Sequence, residues 1–329
     1  MCVGSVLRRA MEDRTYRVMA EPADVPRRFR VEMGEAGRRL DLFLAERLKL
    51  SRAQARRLLA RGAVRVDGGR ASESRKGVGL AAGTEVEVAP FRRPREARAS
   101  AEADAPLVVL ADGPGWLAID KRAGEPVHPL HEDEGGTVLG AALARHPEIQ
   151  GGGEGGLRSG VVHRLDVETS GVLLLATAED SWHRLRQAFA EHRIDKRYRA
   201  LVAGPIEPRG SISLGLVVAR HRPARVRVVP ESERARARGV RDVEMSWRLL
   251  ETRGAVSLVE VRPVTGFLHQ IRAVMAHLGH PLLGDRTYAP PGIARVAARH
   301  MLHASQIRFE EVSAESAEPA DFLSAFEAA

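Results

Sequence analysis

His163-Arg164-Leu165-Asp166-Val167-Glu168-Thr169-Ser170-Gly171 follows a glycine-rich stretch, Gly151 to Gly156, and precedes the apolar run Val172-Leu173-Leu174-Leu175-Ala176. A charged cluster wedged between two strand-like runs is costly unless its charges are paired or used. An Asp held beside an Arg stays ionised and oriented, which is what a nucleophilic carboxylate needs. The stretch therefore predicts a turn that delivers Asp166 to the start of a buried strand.

Working outward, strand-like runs recur at 107–110, 116–119, 160–162, 172–176, 198–202, 256–261 and 307–309, with helical patterns at 138–145, 180–192 and 269–278. In the middle helix Thr177 is placed to cap with Asp180, and Trp182, Leu185 and Phe189 form the apolar stripe. Many strands and few helices, without regular βαβ alternation, predict an α+β domain with a mixed or antiparallel sheet over 105–313. Residues 91–104 are polar and aperiodic and read as a linker. Residues 313–329 are acidic and alanine-rich, and read as a short terminal helix or a loose end.

The 329 residues are enough for roughly two domains. Upstream of the linker, Leu40, Phe43, Leu44 and Leu48 fall at helical spacing. Ser51 and Gln54 form a capping box for a second helix, 52–61, and Gly62 suits its left-handed end. Ala63 to Val66 reads as a strand, Asp67-Gly68 as a turn and Val86 to Val88 as a closing strand. Residues 1–26 show no period and read as a loose arm. Residues 1–100 carry 23 Lys and Arg against 13 Asp and Glu, a net +10, and the remainder 28 against 30, a net −2. Such segregation points to a polyanion held by the N-terminal part. Arg52, Arg56, Arg57 and Arg61 share one side of the second helix. A solvated helix face and an RNA-contacting face are equally compatible with those four alone.

Other classes are disfavoured. The Gly151–Gly156 run lacks the Gly-Lys-Ser/Thr ending of a phosphate loop and precedes a strand. The 12 histidines include no His-Glu-x-x-His, and the single cysteine, Cys2, supports neither a disulfide nor a cysteine-based zinc site. His163, His269 and His303 read as packing residues. There is no hydrolase elbow and no dinucleotide fingerprint. No apolar run approaches the ~20 residues of a membrane span, and the start is too short in apolar residues for a signal peptide. The expectation is a cytoplasmic, cofactor-free and metal-free protein acting through a carboxylate.

The string H-R-L-D-x-x-T-S-G resembles the catalytic motif of the RluA family of RNA pseudouridine synthases. Four further stretches resemble that family in order. Asp120 to Pro129 is similar to N-K-P-x-G-x-x-V-H-P, with Asp for Asn and Arg122 for the first Pro. Lys196 to Val202 is similar to K-x-Y-x-A-L-V, and Gly266 to Arg272 to G-R-T-H-Q-I-R. His280 to Tyr288 and Leu302 to Ala304 complete the series, spanning about 105–310. Phe267 and Leu268 depart from the family's basic and small polar residues. Residues 27–90 resemble the S4 RNA-binding domain. The resemblance implies a small α/β S4 module followed by the synthase domain. It makes Asp166 the nucleophile or, alternatively, the base that starts an elimination, with Arg272 paired to it. It makes Tyr198 the ring that stacks on the flipped base and assists proton removal from C5, Arg164 a grip on the extruded base or a phosphate, and Ile271 an apolar wall. Arg52, Arg56, Arg57 and Arg61 become RNA contacts. The implied substrate is RNA, foremost large-subunit ribosomal RNA, and a monomer is expected. Transfer RNA as substrate, and a non-catalytic RNA-binding factor, are the alternatives. Singly, Asp166, Tyr198 and Arg272 would read as a turn residue, a core residue and a structural ion pair.

Overall fold

The computed structural model describes residues 25–92, 96–221 and 223–329, so most of the arm read at 1–26 lies outside the described residues. The chain forms two units, Met1–Arg93 and Pro94–Ala329. The first contains β1 (Arg27–Arg30), α1 (Leu40–Arg47), α2 (Arg52–Ala60), β2 (Val64–Val66), β3 (Gly69–Arg70) and β4 (Glu85–Val88), with the antiparallel sheet ordered β1-β4-β2-β3. Ser51 and Gln54 cap α2 reciprocally. Asp67 and Gly68 both take positive φ, 47° and 75°, as a two-residue hairpin requires. Leu40, Phe43, Leu44 and Leu48 are buried against Leu58, Leu59, Val86 and Val88.

The second unit runs β5 (Val109–Gly113), β6 (Trp116–Lys121), α3 (Val138–Arg145), β7 (Ser170–Ala176), α4 (Glu179–Ala190), β8 (Asp195–Ala203), β9 (Arg209–His221), β10 (Ala224–Val229), β11 (Arg241–Arg253), β12 (Val256–Pro263), α5 (Gln270–His277), α6 (Pro291–Ala294), β13 (Leu302–Phe309), β14 (Val312–Glu315) and α7 (Ala320–Glu327). Its mixed sheet is ordered β10-β9-β11-β12-β8-β13-β7-β6-β5, with β14 on β13. Among the described strands only the β13–β7 pairing is parallel, at His303–Ser170 and Ala304–Gly171. There a Cβ on Gly171 would lie 2.2 Å from the Ala304 carbonyl oxygen, so the glycine of the opening stretch is required for the two strands to meet. β7 is an unbroken apolar run because both its faces are covered. Val172, Leu174 and Ala176 pack with Leu185 and Ala188 of α4, whereas Leu173 and Leu175 pack with Leu139 and Leu143 of α3.

Local expectations change at several points. The run 160–162 is not a strand but an isolated bridge, Val161 to Leu175. Gly160 takes φ 67°, and the next ladder position is filled by a side chain, His163 Nε2 accepting the Leu174 amide at 2.9 Å. Thr177 does not cap α4. Its amide donates to Gly115 O, prolonging the strand edge, and the helix begins beyond Ala178. Residues 203–255 supply the long strands β9, β10 and β11, whose apolar alternation (Ile212, Leu214, Leu216; Val243, Met245, Trp247) builds one half of the sheet. Part of the stretch read as linker is packed on this unit. Ala99 is buried in its core, and the Glu102 carboxylate accepts the Gly136 amide at 2.8 Å. The unit also continues to the C-terminal helix, where Phe322 and Phe326 are buried.

Candidate active site

Asp166 sits on the turn before β7, with its side chain 24% exposed. Arg272 is the third residue of α5 and is buried. Its Nη1 donates to Asp166 Oδ2 at 2.9 Å. The remaining edge of the guanidinium is held by a residue to which no role was given from sequence. Nε and Nη2 of Arg272 donate to Asp285 Oδ2 and Oδ1 at 2.7 and 2.8 Å. Asp285 Oδ1 also accepts the amides of Thr287 and Tyr288 at 2.9 and 3.2 Å. Burial opposes both charges, but their pairing prevails, holding the Asp285 carboxyl below its ordinary range and the Arg272 guanidinium firmly protonated. A buried bidentate pair thus aims one N–H at Asp166. Among the described residues no hydrogen bond reaches Asp166 Oδ1, which leaves that oxygen for a reacting atom.

The turn itself is held from two sides. Lys121 is fully buried, and its Nζ donates to the carbonyls of Arg122, Glu125 and Val167, each at 2.8 Å. Burial lowers its pKa to about 8. Arg299, also buried, donates from Nη1 to the next carbonyl, Glu168 O, at 3.0 Å while Asp321 of α7 grips its other edge at 2.7 and 3.0 Å. Two buried cations therefore bind consecutive carbonyls beyond Asp166 without touching its carboxylate. Thr169 bonds His300 Nε2, just before β13, at 2.8 Å, and Ser170 bonds His303 Nδ1 of β13 at 3.0 Å.

Tyr198 lies in β8, paired to Val261 on one side and Ala304 on the other, with its ring half-buried against the core that contains Ile271. Burial and the charge of Asp166 push its hydroxyl pKa upward, so Tyr198 is a phenol, suited to stacking or donating rather than to acting as a base. Ile271 is buried in the core. Arg164 is exposed and makes no hydrogen bond to the described residues. Phe267 and Leu268, which depart from the family pattern, pack on the apolar core. Of the histidines read as packing residues, His163 stacks on Phe189 and His303 bonds Ser170 and the Ser316 carbonyl, but His269 faces the site, its Nε2 3.9 Å from Asp166 Oδ2. No group of three or more His, Cys, Asp or Glu able to hold a metal occurs among the described residues.

The basic face of α2 belongs to the first unit and is more than a solvated surface. Asp41 is fully buried, and Arg52 Nε, Arg56 Nε and Arg39 donate to it at 3.0, 3.0 and 3.1 Å. Burial alone would raise the Asp41 pKa, but these bonds bring it down to about 2. Arg52 and Arg56 are thus structural partners as well as surface cations, and Arg57 and Arg61 are exposed as well.

A mixed-sheet unit with a carboxylate–arginine pair near its β7–β13 junction, preceded in sequence by a small sheet-and-helix unit with arginines along one helix, has the plan of an RNA-modifying enzyme. Residues 115–277 match the family model of RNA pseudouridylate synthase, and residues 38–79 that of the S4 domain. An uncharacterised RNA pseudouridine synthase of Chloroflexus aurantiacus is 36% identical over 83% of this chain and 82% of its own. The ribosomal large subunit pseudouridine synthase D of Xanthomonas campestris is 32% identical over 83% and 82%. The solved structure of human RNA Pseudouridylate Synthase Domain Containing 1 aligns with a TM-score of 0.54 and 26% identity, covering 68% of this chain and 87% of that one. The chain belongs to the RluA-type RNA pseudouridine synthases that carry an N-terminal S4 domain, and it is an isomerase. No helix among the described residues is long and apolar enough to cross a membrane.

Proposed function

We propose that this synthase isomerises uridine to pseudouridine in large-subunit ribosomal RNA, in the cytoplasm, with Asp166 as the reacting carboxylate. The observation that carries the reading is the Asp285–Arg272–Asp166 arrangement, which pairs one carboxylate oxygen and leaves the other open. The reaction breaks the N1–C1′ bond, turns the uracil and joins C5 to C1′. C5 loses a proton and N1 gains one, so no oxidant, metal or external energy is needed. Asp166 Oδ1 either attacks the ribose or removes the proton that starts an elimination, and the same placement serves both. The uridine must first leave its stack, at a cost of a few kcal/mol. Tyr198 supplies a planar face for the extruded base and Arg164 a free guanidinium beside the turn. Ile271 belongs to the apolar core on which the Tyr198 ring packs.

Ribosomal RNA is favoured because several relatives of about 32% identity, covering 83% of this chain, are ribosomal large subunit pseudouridine synthases D. The S4 unit, with Arg52, Arg56, Arg57 and Arg61 on one helix, is the RNA-holding module. The test is to map pseudouridines in ribosomal and transfer RNA from cells with the gene, without it, and with Asp166→Asn. Loss of a large-subunit site in the last two supports the reading. Loss confined to transfer RNA would replace the substrate, and near-normal modification by Asp166→Asn would remove Asp166 from the chemistry.

A further inference from the structure

His269 caps α5 in a left-handed conformation, φ 51° and ψ 21°, which side-chain-bearing residues adopt at a cost. Its ring is held by a chain of contacts that bears on where the proton lies, since Tyr288 has no hydrogen-bond acceptor among the described residues other than His269 Nδ1. The Tyr288 hydroxyl oxygen accepts the Val226 amide of β10 at 2.9 Å. Tyrosine has one proton to give, and His269 Nδ1 stands 3.0 Å from that oxygen. With Nδ1 accepting, the neutral ring carries its hydrogen on Nε2. Burial lowers the His269 pKa, and the Arg272 cation adds to this, against the pull of Asp166 and Asp285. Nε2 faces Asp166 Oδ2, the oxygen that Arg272 already binds.

We propose that His269 is a positioning residue for the isomerisation: Tyr288 locks the tautomer whose Nε2–H faces Asp166, so that His269 and Arg272 converge on Oδ2 and present Oδ1 to the substrate. This rests on Asp166 being the reacting carboxylate. The 3.9 Å separation is too long for a hydrogen bond in the free protein and is of the kind that tightens in a substrate complex. The strained backbone has a physical reason in this scheme, because it turns the ring back over the helix start toward the turn that bears Asp166. The chain of contacts also ties the site to β10 at the edge of the sheet, where the register shifts between Arg225 and Val226.

The test begins without RNA. In the full chain carrying ¹⁵N-histidine, the His269 signals are assigned by their loss in His269→Asn. Near neutral pH they should show a bare Nδ1 and a protonated Nε2, and Tyr288→Phe should mix the tautomers. The reverse tautomer in the unaltered protein overturns the proposal. Kinetics follow, as single-turnover tritium release from a large-subunit ribosomal RNA transcript labelled at uridine C5. His269→Asn tolerates the left-handed backbone and reaches Tyr288, but is too short for Asp166. It should slow release roughly tenfold, the scale of one hydrogen bond to a charged group, at unchanged RNA affinity. His269→Gln, whose amide reaches the Nε2 position, should recover most of that rate. An Asn variant as fast as the unaltered protein, or Asn and Gln variants that lose RNA affinity but not rate, overturns the proposal. Failure of the unaltered protein to release tritium would count against the assigned RNA alone, and the ring-nitrogen spectrum would then decide the positioning by itself.

Discussion

Asp285→Asn separates the support of the site from its chemistry. Asp285 is 1% exposed and accepts four hydrogen bonds, two from Arg272 and one each from the amides of Thr287 and Tyr288. The amide keeps one accepting oxygen and turns an NH₂ toward groups that are themselves donors. Removing one partner of a buried ion pair costs about 3–5 kcal/mol. Because Arg272 retains Asp166, the low end applies, about 3 kcal/mol. At roughly 2–4 °C per kcal/mol for a unit of this size, the second unit should melt about 6–12 °C lower. Asp166→Asn leaves the Arg272–Asp285 pair intact at a partly exposed position, and its stability should change by no more than about 1 kcal/mol. The pH dependence has a definite sign. Asp285 titrates below its ordinary 3.8, so its stabilisation is complete above that value and is lost as pH falls through the lower folded value. The deficit of the Asn variant should therefore be full at neutral pH and shrink only in acid. Calorimetry of the full chain from pH 7 down to the onset of acid unfolding measures this, with tritium release on the same samples. Equal melting temperatures for the two variants, or a deficit that widens on acidification, would refute the reasoning.

Two further outcomes are expected. Tyr198→Phe should bind RNA normally and turn over more slowly, and Tyr198→Ala should lose both, since base stacking is worth about 1–3 kcal/mol and survives in Phe; full activity of the alanine variant in a filter-binding and tritium-release comparison would remove Tyr198 from the site. Arg57→Gln with Arg61→Gln should flatten the slope of log affinity against log salt by somewhat under one unit per lost phosphate contact and leave the first unit folded, whereas Arg52→Gln with Arg56→Gln should also destabilise it by leaving the buried Asp41 with Arg39 as its one remaining cation partner among the described residues; identical salt slopes for these proteins and the unaltered chain would show that α2 does not hold RNA.

The last contrast marks where reading the sequence stops. The helix carrying Arg52, Arg56, Arg57 and Arg61 was legible from its capping box, its period and Gly62, all local signals within a dozen residues. That Arg52 and Arg56 clamp a buried Asp41 was not, because Asp41 belongs to the preceding helix and only the packing of α1 on α2 brings the three together. The catalytic domain divides in the same way. Asp166, Tyr198 and Arg272 stand out in ordered motifs, and β7 and α5 follow from apolar periodicity and length. Strands β9 to β11 do alternate in sequence, but their charged outward positions hid the pattern among arginines. The spurious strand at 160–162 has the composition of a strand and lost its ladder to the His163 side chain.

The sequence by itself determined the two-module plan, the family motifs and the carboxylate on its turn, because each rests on residues close together in the chain. Tertiary structure alone decided what surrounds that carboxylate. Asp285 reaches Arg272 across 13 positions, Arg299 reaches Glu168 across 131, and His269 comes to lie beside Asp166 through a left-handed residue at a helix start. The strength of those contacts depends on burial and on distances of a few ångströms, and both arise only when the sheet closes β7 against β13.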